Sequence, residues 1–269
     1  MDALISGLFT ADPFPLIAAG GFVIGFLVGM TGVGAGALTT PMLISGFGVA
    51  PAVAVGTDLV FASVTKASAA WRHHRLGNVN WGILGYLAAG SLLATLVTLA
   101  VLNSATIDTD ALAASIRKVL AVALVVSAIA IPLVPVLMRK QPDLESRAVS
   151  ARPIVTVLFG VVLGVLVTLT SVGAGAIGVA VLTALYPSLI ARRVVGTDIV
   201  HAIPLAALSG AGHLSMGNVE FGLLGALLVG SIPGILLGSR LIGIIPDWLL
   251  RLILSVVLLY AAYLLAMKG

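Results

Sequence analysis

Two glycine-rich stretches interrupt the apolar sequence of this 269-residue chain: TGVGAG, which begins at Thr31, and TSVGAG, which begins at Thr170. Glycine costs about 1 kcal/mol relative to alanine inside a helix, so two such interruptions need a reason. Glycine lets backbone N–H groups converge without intervening side chains, and converging N–H groups bind anions. We therefore predict that the two motifs meet near the bilayer midplane and hold a small anionic substrate. The candidate binding residues are Thr31, Gly32, Val33, Gly34, Ala35, Gly36, Thr170, Ser171, Val172, Gly173, Ala174 and Gly175.

Close packing of helices is the alternative explanation for glycine in an apolar sequence, since small residues let membrane helices approach one another. We assign this packing role to Gly82, Gly85, Gly90 and their counterparts in the second half of the chain. The two GVGAG motifs differ from these glycines because they interrupt short segments at matched places in both halves, a pattern typical of transporters.

Charged side chains in apolar surroundings are the second group with possible chemistry. Asp58 and Asp198 each end a GTD triplet, and carboxylates within a membrane are costly and commonly functional. Two roles fit them, proton coupling and capping of a helix start. Three roles fit Lys66: attraction of an anion, pairing with Asp58 and extension to the membrane surface. The candidates for coupling or gating are Thr57, Asp58, Lys66, Thr197, Asp198 and His201.

No catalytic constellation or nucleotide-binding lysine motif accompanies these residues, so we predict that the chain is not an enzyme and needs neither cofactor nor metal. His201 follows Asp198 by three residues, which places both side chains on one face of a helix. A histidine in this position is a candidate for titration near neutral pH. Packing by a hydrogen-bonded histidine remains the alternative.

The composition indicates which elements carry these residues. Hydrophobic residues make up 60% of the chain and charged residues 9%. Long uncharged stretches, such as 13–57 and 153–191, exceed the roughly 20 residues that a helix needs to cross a bilayer. The sequence therefore predicts an all-α polytopic membrane protein whose surroundings are lipid. The net charge of +4 is attributed to cytoplasmic loops and not to nucleic-acid binding.

The chain is an internal duplication. AVGTDLVFAS, from Ala54, matches VVGTDIVHAI, from Val194, and several glycines recur 140 positions apart. We divide the chain into an N-terminal repeat at 14–140, a polar hinge at 139–152 and a C-terminal repeat at 152–267. Each repeat holds about five hydrophobic segments, with discontinuous or re-entrant helices at the glycine motifs.

Basic residues predict the orientation of the two repeats. The hinge is basic and is therefore assigned to the cytoplasm, with both termini outside. Loop 72–78 is basic and its counterpart 213–217 is uncharged, whereas turn 47–51 is uncharged and its counterpart carries Arg192 and Arg193. This exchange favours inverted repeats with an odd number of crossings each. An even number would make the repeats parallel.

The doubled GVGAG motif, the VGTDL and VGTDI motifs and the stretch HHRLGNVNW resemble the sulfite exporter TauE/SafE family of bacterial membrane transporters, over nearly the whole chain. The resemblance implies movement of sulfur-containing oxyanions, such as sulfite or organosulfonates, across the bacterial plasma membrane, usually outward. We therefore expect a secondary transporter, with protons as the candidate coupling ion. An anion channel, or a non-transporting or enzymatic membrane subunit, remains the alternative.

Overall fold

The computed structural model describes residues 14–31, 36–104, 108–139, 152–241 and 245–267. All regular secondary structure within these residues is helical. The helices of the first repeat are α1 (Phe14–Thr31), α2 (Gly36–Pro41, continued by a π-helical turn at Met42–Gly46), α3 (Pro51–Arg75), α4 (Trp81–Leu102) and α5 (Thr109–Arg139). Those of the second repeat are α6 (Pro153–Thr170), α7 (Ala176–Leu185), α8 (Ala191–Ser215), α9 (Phe221–Arg240) and α10 (Asp247–Met267).

Eight of these helices are long and apolar enough to cross a membrane, which confirms the predicted polytopic helical fold for the described residues. Their outer faces carry large exposed apolar side chains, such as Leu93, Val97 and Ile154. A surface of this kind suits lipid, and helices satisfy their backbone hydrogen bonds within the bilayer. Helix α7 has only 10 residues, or about 15 Å, half the thickness of the hydrocarbon core.

Long helices of one repeat pack against long helices of the other, in two matched pairs. Helix α1 lies along α9, and helix α4 lies along α6. A Cβ atom on Gly25 of α1 would overlap the backbone of Ser231 in α9, and one on Gly164 of α6 would overlap the backbone of Ser91 in α4. The glycines therefore permit direct backbone contact, and the same contact occurs twice with the repeats exchanged.

The assignment of packing glycines was correct in part. A Cβ atom on Gly90 would overlap the carbonyl oxygen of Val157, so this glycine does allow close helix packing. Gly85 and its counterpart Gly225 have open space where a Cβ atom would stand, and Gly82 faces only the cap residue of its own helix. The prediction was wrong at these positions because repetition of a glycine does not reveal which face of the helix it occupies.

The remaining long helices pair with their own counterparts. Gly56, near the start of α3, lies beside His213 and Asn218 at the end of α8, so the two helices run in opposite directions. Helices α5 and α10 also run antiparallel, since Arg251 donates to the Ile131 carbonyl (3.2 Å) and Ser255 to the Ala128 carbonyl (2.9 Å). The core is thus made between the repeats.

Candidate functional site

The GTD triplets join each repeat to a turn of the other. The backbone N–H of Glu220 donates to the Thr57 hydroxyl oxygen (3.1 Å), and a Cβ atom on Gly56 would overlap the carbonyl of Asn218. The same arrangement recurs in the other repeat. There the backbone N–H of Asn80 donates to Thr197 (2.9 Å), beside Gly196. The glycine gives the turn room, and the threonine accepts its N–H group.

This geometry gives Thr57 and Thr197 a structural role between the repeats. The carboxylates do not cap their helices, because α3 begins at Pro51 and α8 at Ala191, well before Asp58 and Asp198. The side chains that do cap neighbouring helices are Asn80, which accepts from Ile83 N, and Glu220, which accepts from Gly222 N and Leu223 N. The capping interpretation of the two aspartates was therefore wrong.

Asp58 faces the start of α2, next to the first glycine motif. Its carboxylate is fully buried and its Oδ2 atom accepts a hydrogen bond from the Thr40 hydroxyl (2.7 Å). The Thr39 and Ser171 hydroxyls also lie near this carboxylate. The Oδ1 atom has no partner at hydrogen-bonding distance among the described residues. A buried carboxylate with one free oxygen carries a desolvation cost, which is typical of functional sites.

The two glycine motifs meet at Gly36. A Cβ atom on Gly36 would overlap the carbonyl oxygen of Ser171 and would stand 3.2 Å from Asp58 Oδ2. In the second motif Ser171, Gly173 and Gly175 have φ values of 60°, 132° and 124°, so the backbone is irregular there. Only glycine readily adopts the last two conformations, which explains the residue type.

The hydroxyl groups at the ends of α1 and α6 are used locally. Thr31 donates to the Leu27 carbonyl (2.7 Å), and Thr170 donates to the Leu166 carbonyl (2.6 Å). Thr170 also accepts from the backbone N–H of Val172 (3.1 Å). These contacts shape the helix ends. Gly32, Val33, Gly34 and Ala35 lie outside the described residues.

Asp198 occupies the corresponding position in α8, but its surroundings differ. Its side chain is 1% exposed, and neither carboxylate oxygen has a hydrogen-bond partner among the described residues. It stands directly over Gly178 of α7, where any Cβ atom would overlap it, and faces the backbone of Gly175. Asp58 is held by a hydroxyl and Asp198 is not, so the two half-sites are not equivalent.

Lys66 is the cation nearest to both carboxylates. Its ammonium group lies within electrostatic range of Asp58 and Asp198 and donates to the Ala174 carbonyl (3.3 Å) in the second glycine motif. Its counterpart in the second repeat is Ala206, so the charge is present once. The sequence left three roles open for Lys66. Its position near both carboxylates favours a role within the site over extension to the membrane surface. We call Gly36, Thr40, Asp58, Lys66, Ser171 and Asp198 the central site.

His201 lies one turn beyond Asp198 in α8. It is fully buried, and its Nε2 atom is 2.8 Å from the Ser91 hydroxyl of α4, in the other repeat. Its Nδ1 atom has no hydrogen-bond partner among the described residues. The sequence offers no indication of a role for Ser91, whereas Thr40 stands close enough to the first glycine motif to be expected as a hydroxyl donor. A hydroxyl in an apolar helix gives no signal by itself, because such groups usually bond to their own backbone.

A cavity of about 460 Å³ opens at the end of the molecule where α3 begins and α8 ends. We call it the vestibule. Its walls include backbone and side chains of Ala50, Pro51, Asn103, Ser104, Met216 and Asn218. The vestibule is separate from the central site. No group of three His, Cys, Asp or Glu side chains suited to a metal ion occurs in the described part of the chain.

Comparisons with known proteins agree with this architecture. Residues 17–265 match the family model described as Sulfite exporter TauE/SafE. The chain is 36% identical over 210 residues to the probable membrane transporter protein YjnA of Bacillus subtilis (strain 168), covering 77% of this chain and 82% of that protein. It is 27% identical to the probable membrane transporter protein YdhB of the same organism, covering 76% and 80%. No solved structure gives a significant match.

The family match, the two relatives and the eight apolar helices together support a multi-pass membrane transporter of the plasma membrane. The match over residues 17–265 identifies the chain as a member of the sulfite exporter TauE/SafE family.

Proposed function

We propose that this protein is a secondary transporter that exports small sulfur-containing oxyanions, such as sulfite or organosulfonates, through the central site. One observation carries the proposal. Gly36 of the first repeat packs against Ser171 of the second, so the two glycine motifs come together beside the buried Asp58 carboxylate. Irregular backbone at membrane depth is tolerated where it lines a cavity or is buried in protein, and transporters place substrate sites at such helix breaks.

The direction of the paired helices supports inverted repeats as part of this proposal. The start of α3 lies beside the end of α8, and the start of α8 lies beside the end of α3, at Gly196 and His73. Counterparts that run antiparallel are expected when two repeats insert with opposite orientation, and parallel repeats would give parallel counterparts. Alternating access then requires one set of helices to rock against the other around the central site.

The charges of the central site suggest how transport is coupled. With Asp58 and Asp198 ionised and Lys66 protonated, the three side chains sum to one negative charge, which opposes an anion. One proton on either carboxylate brings the sum to zero, and the low dielectric makes this change large. Proton binding and anion binding therefore favour each other, and we propose that an oxyanion and a proton move together.

Flux measurements in proteoliposomes test the proposal. Vesicles loaded with sulfite, sulfate, thiosulfate or a small alkanesulfonate are diluted into anion-free buffer, with and without a pH difference across the membrane. We expect efflux of sulfite or the sulfonate that is saturable and changes with the pH difference at a fixed membrane potential. Flux that follows only the electrical driving force would identify an anion channel. Equal rates with protein-free vesicles would exclude transport of these anions.

A further inference from the structure

A column of buried polar side chains lies between α4, α6 and α8, on one side of the central site. Its middle part is a trio of hydroxyls in which Thr168 is 3.1 Å from Thr95 and 2.9 Å from Ser209. His213 follows at one end, with its Nε2 atom 3.0 Å from the Thr168 carbonyl. The pair formed by Ser91 and His201 lies at the other end. All these side chains are at most 1% exposed.

The column occurs at only one of the two matched interfaces between the repeats. The matching interface between α9, α1 and α3 has Phe61 where His201 stands and Ile235 where Thr95 stands. Gly29 replaces Thr168, and Ala69 replaces Ser209. The two interfaces otherwise pack alike, since Gly29 approaches the backbone of Ile235 as Thr168 approaches Thr95. Packing alone therefore does not require the polar side chains, and their cost in an apolar interior needs another explanation.

The column extends from Asp198 towards the vestibule. At its inner end His201 is one turn from Asp198, whose carboxylate oxygens have no hydrogen-bond partner among the described residues. At its outer end the backbone carbonyl of His213 accepts a hydrogen bond from the backbone N–H of Asn218 (2.9 Å), and Asn218 lines the vestibule. The column has four gaps. One lies between the vestibule and the His213 ring, and the others separate His213 from the trio, Thr95 from Ser91 and His201 from Asp198, residues that are one helical turn apart. A continuous hydrogen-bonded path along the column requires a bridging water molecule in each gap.

We propose that this column is a proton route that connects Asp198 with the vestibule, and that Asp198, not Asp58, carries the coupled proton. In the direction of protonation, a proton enters at His213, passes between the hydroxyls of Ser209, Thr168 and Thr95, and reaches the Ser91–His201 pair; release to the vestibule follows the same steps in reverse. The imidazole accepts it at one ring nitrogen and releases one from the other to the Asp198 carboxylate. Each step breaks one O–H or N–H bond and forms another.

The charged groups around the inner end suit a relay. Lys66 is within electrostatic range of His201 as well as of Asp198 and Asp58. A protonated imidazole would place a second positive charge beside this ammonium group, so His201 passes the proton on and does not store it. The Asp198 carboxylate is the acceptor of that proton. This inference rests on the proposed function only for the direction of coupling.

Infrared spectroscopy on the reconstituted protein tests the route without any substrate. After a rapid pH drop, the carbonyl band of protonated Asp198 is followed and is identified by its loss in Asp198→Asn. Glutamine at position 201 retains a hydrogen bond to Ser91 but cannot relay a proton. We therefore expect His201→Gln to slow the appearance of the band by at least about tenfold. The final amplitude should be unchanged. Ser231→Ala, at the counterpart of Ser91, should behave as the parent protein does.

Two results would overturn the route: an unchanged rate in His201→Gln, or a parent protein in which no Asp198 band forms. His201→Phe, which copies the residue of the other repeat, gives a second variant if glutamine perturbs folding. Oxyanion exchange is then measured on the same vesicles. A slowed band together with absent exchange in the parent protein would retain the proton route and reject the proposed substrate.

Discussion

At the scale of single residues, the two carboxylates of the central site differ in the hydrogen-bond donors that surround them. Asp58 has a hydroxyl donor from Thr40, whereas Asp198 has no such donor among the described residues. Identical GTD triplets therefore place their carboxylates in different surroundings. A hydroxyl stabilises the ionised form of Asp58 and no hydroxyl among the described residues stabilises that of Asp198, so we expect the two aspartates to serve different roles.

The two aspartates should respond differently to neutralisation. Asp198→Asn should abolish proton-driven flux yet preserve oxyanion exchange, because an amide cannot carry the proton. Asp58→Asn should retain the pH dependence of flux, because the coupled proton is assigned to Asp198. Flux with and without a pH difference measures both effects, and thermal unfolding checks that each variant is folded. The opposite pattern would assign the coupled proton to the first repeat.

Gly36 should tolerate no side chain. In Gly36→Ala the new methyl group would overlap the Ser171 carbonyl and crowd Asp58, so we expect oxyanion exchange to fall by about tenfold or more, a barrier change of roughly 1.4 kcal/mol. Gly85→Ala is the matched control, because open space surrounds that position. Exchange rates are normalised to monodisperse protein. Parent-like exchange in Gly36→Ala would show that substrate binding does not depend on the contact between the two glycine motifs.

At the scale of elements, the GTD triplets and the turns before α4 and α9 act as paired contacts between the repeats. Each triplet supplies a glycine that admits a turn, a threonine that accepts its N–H group and an aspartate that faces a glycine motif. A stretch of three residues thus fixes the position of α3 or α8 and aims a carboxylate at the central site.

Removal of the threonine hydroxyls should weaken these contacts without touching the central site. Thr57→Val and Thr197→Val each leave a backbone N–H, of Glu220 or Asn80, without its acceptor, and should cost about 1–3 kcal/mol. The costs should add in the double variant, because the contacts share no partner. Thermal unfolding in detergent measures them, with Thr57→Ser as the control that keeps the hydroxyl. Parent-like stability of both valine variants would mean that water replaces the threonine.

At the scale of the whole molecule, the repeats are interlocked by pairing of α1 with α9, α4 with α6, α3 with α8 and α5 with α10. Every long helix makes its main contact with the other repeat. The repeats are therefore one cooperative unit, and rocking of helices during transport must occur within this shared core and not between two separate bodies.

Single cysteines test the inverted arrangement directly, since the chain has no native cysteine. Ser104 follows α4, and Ser239 lies in the last turn of α9, the counterpart of α4. Both serines are exposed. In inverted repeats, Ser104→Cys should react with an impermeant thiol reagent from outside and Ser239→Cys only from the cytoplasm. Ser215→Cys should behave as Ser104→Cys does. Labelling of Ser104→Cys and Ser239→Cys from the same side would establish parallel repeats.

The sequence by itself determined the polytopic helical class and the family, because hydropathy, length and short motifs are local properties that survive without tertiary contacts. It also singled out Gly36, Ser171, Asp58, Asp198, Lys66 and His201. Only the tertiary structure decided which of them come together and which partners they have. Asp58 and Asp198 were ambiguous between capping and function until the helices were seen to begin at Pro51 and Ala191. Thr40 and Ser91 acquire a role from helices distant in sequence, and the open space at Gly85 depends on the face it occupies. Such facts depend on how helices pack across the repeats, and packing is not encoded in any single stretch of residues.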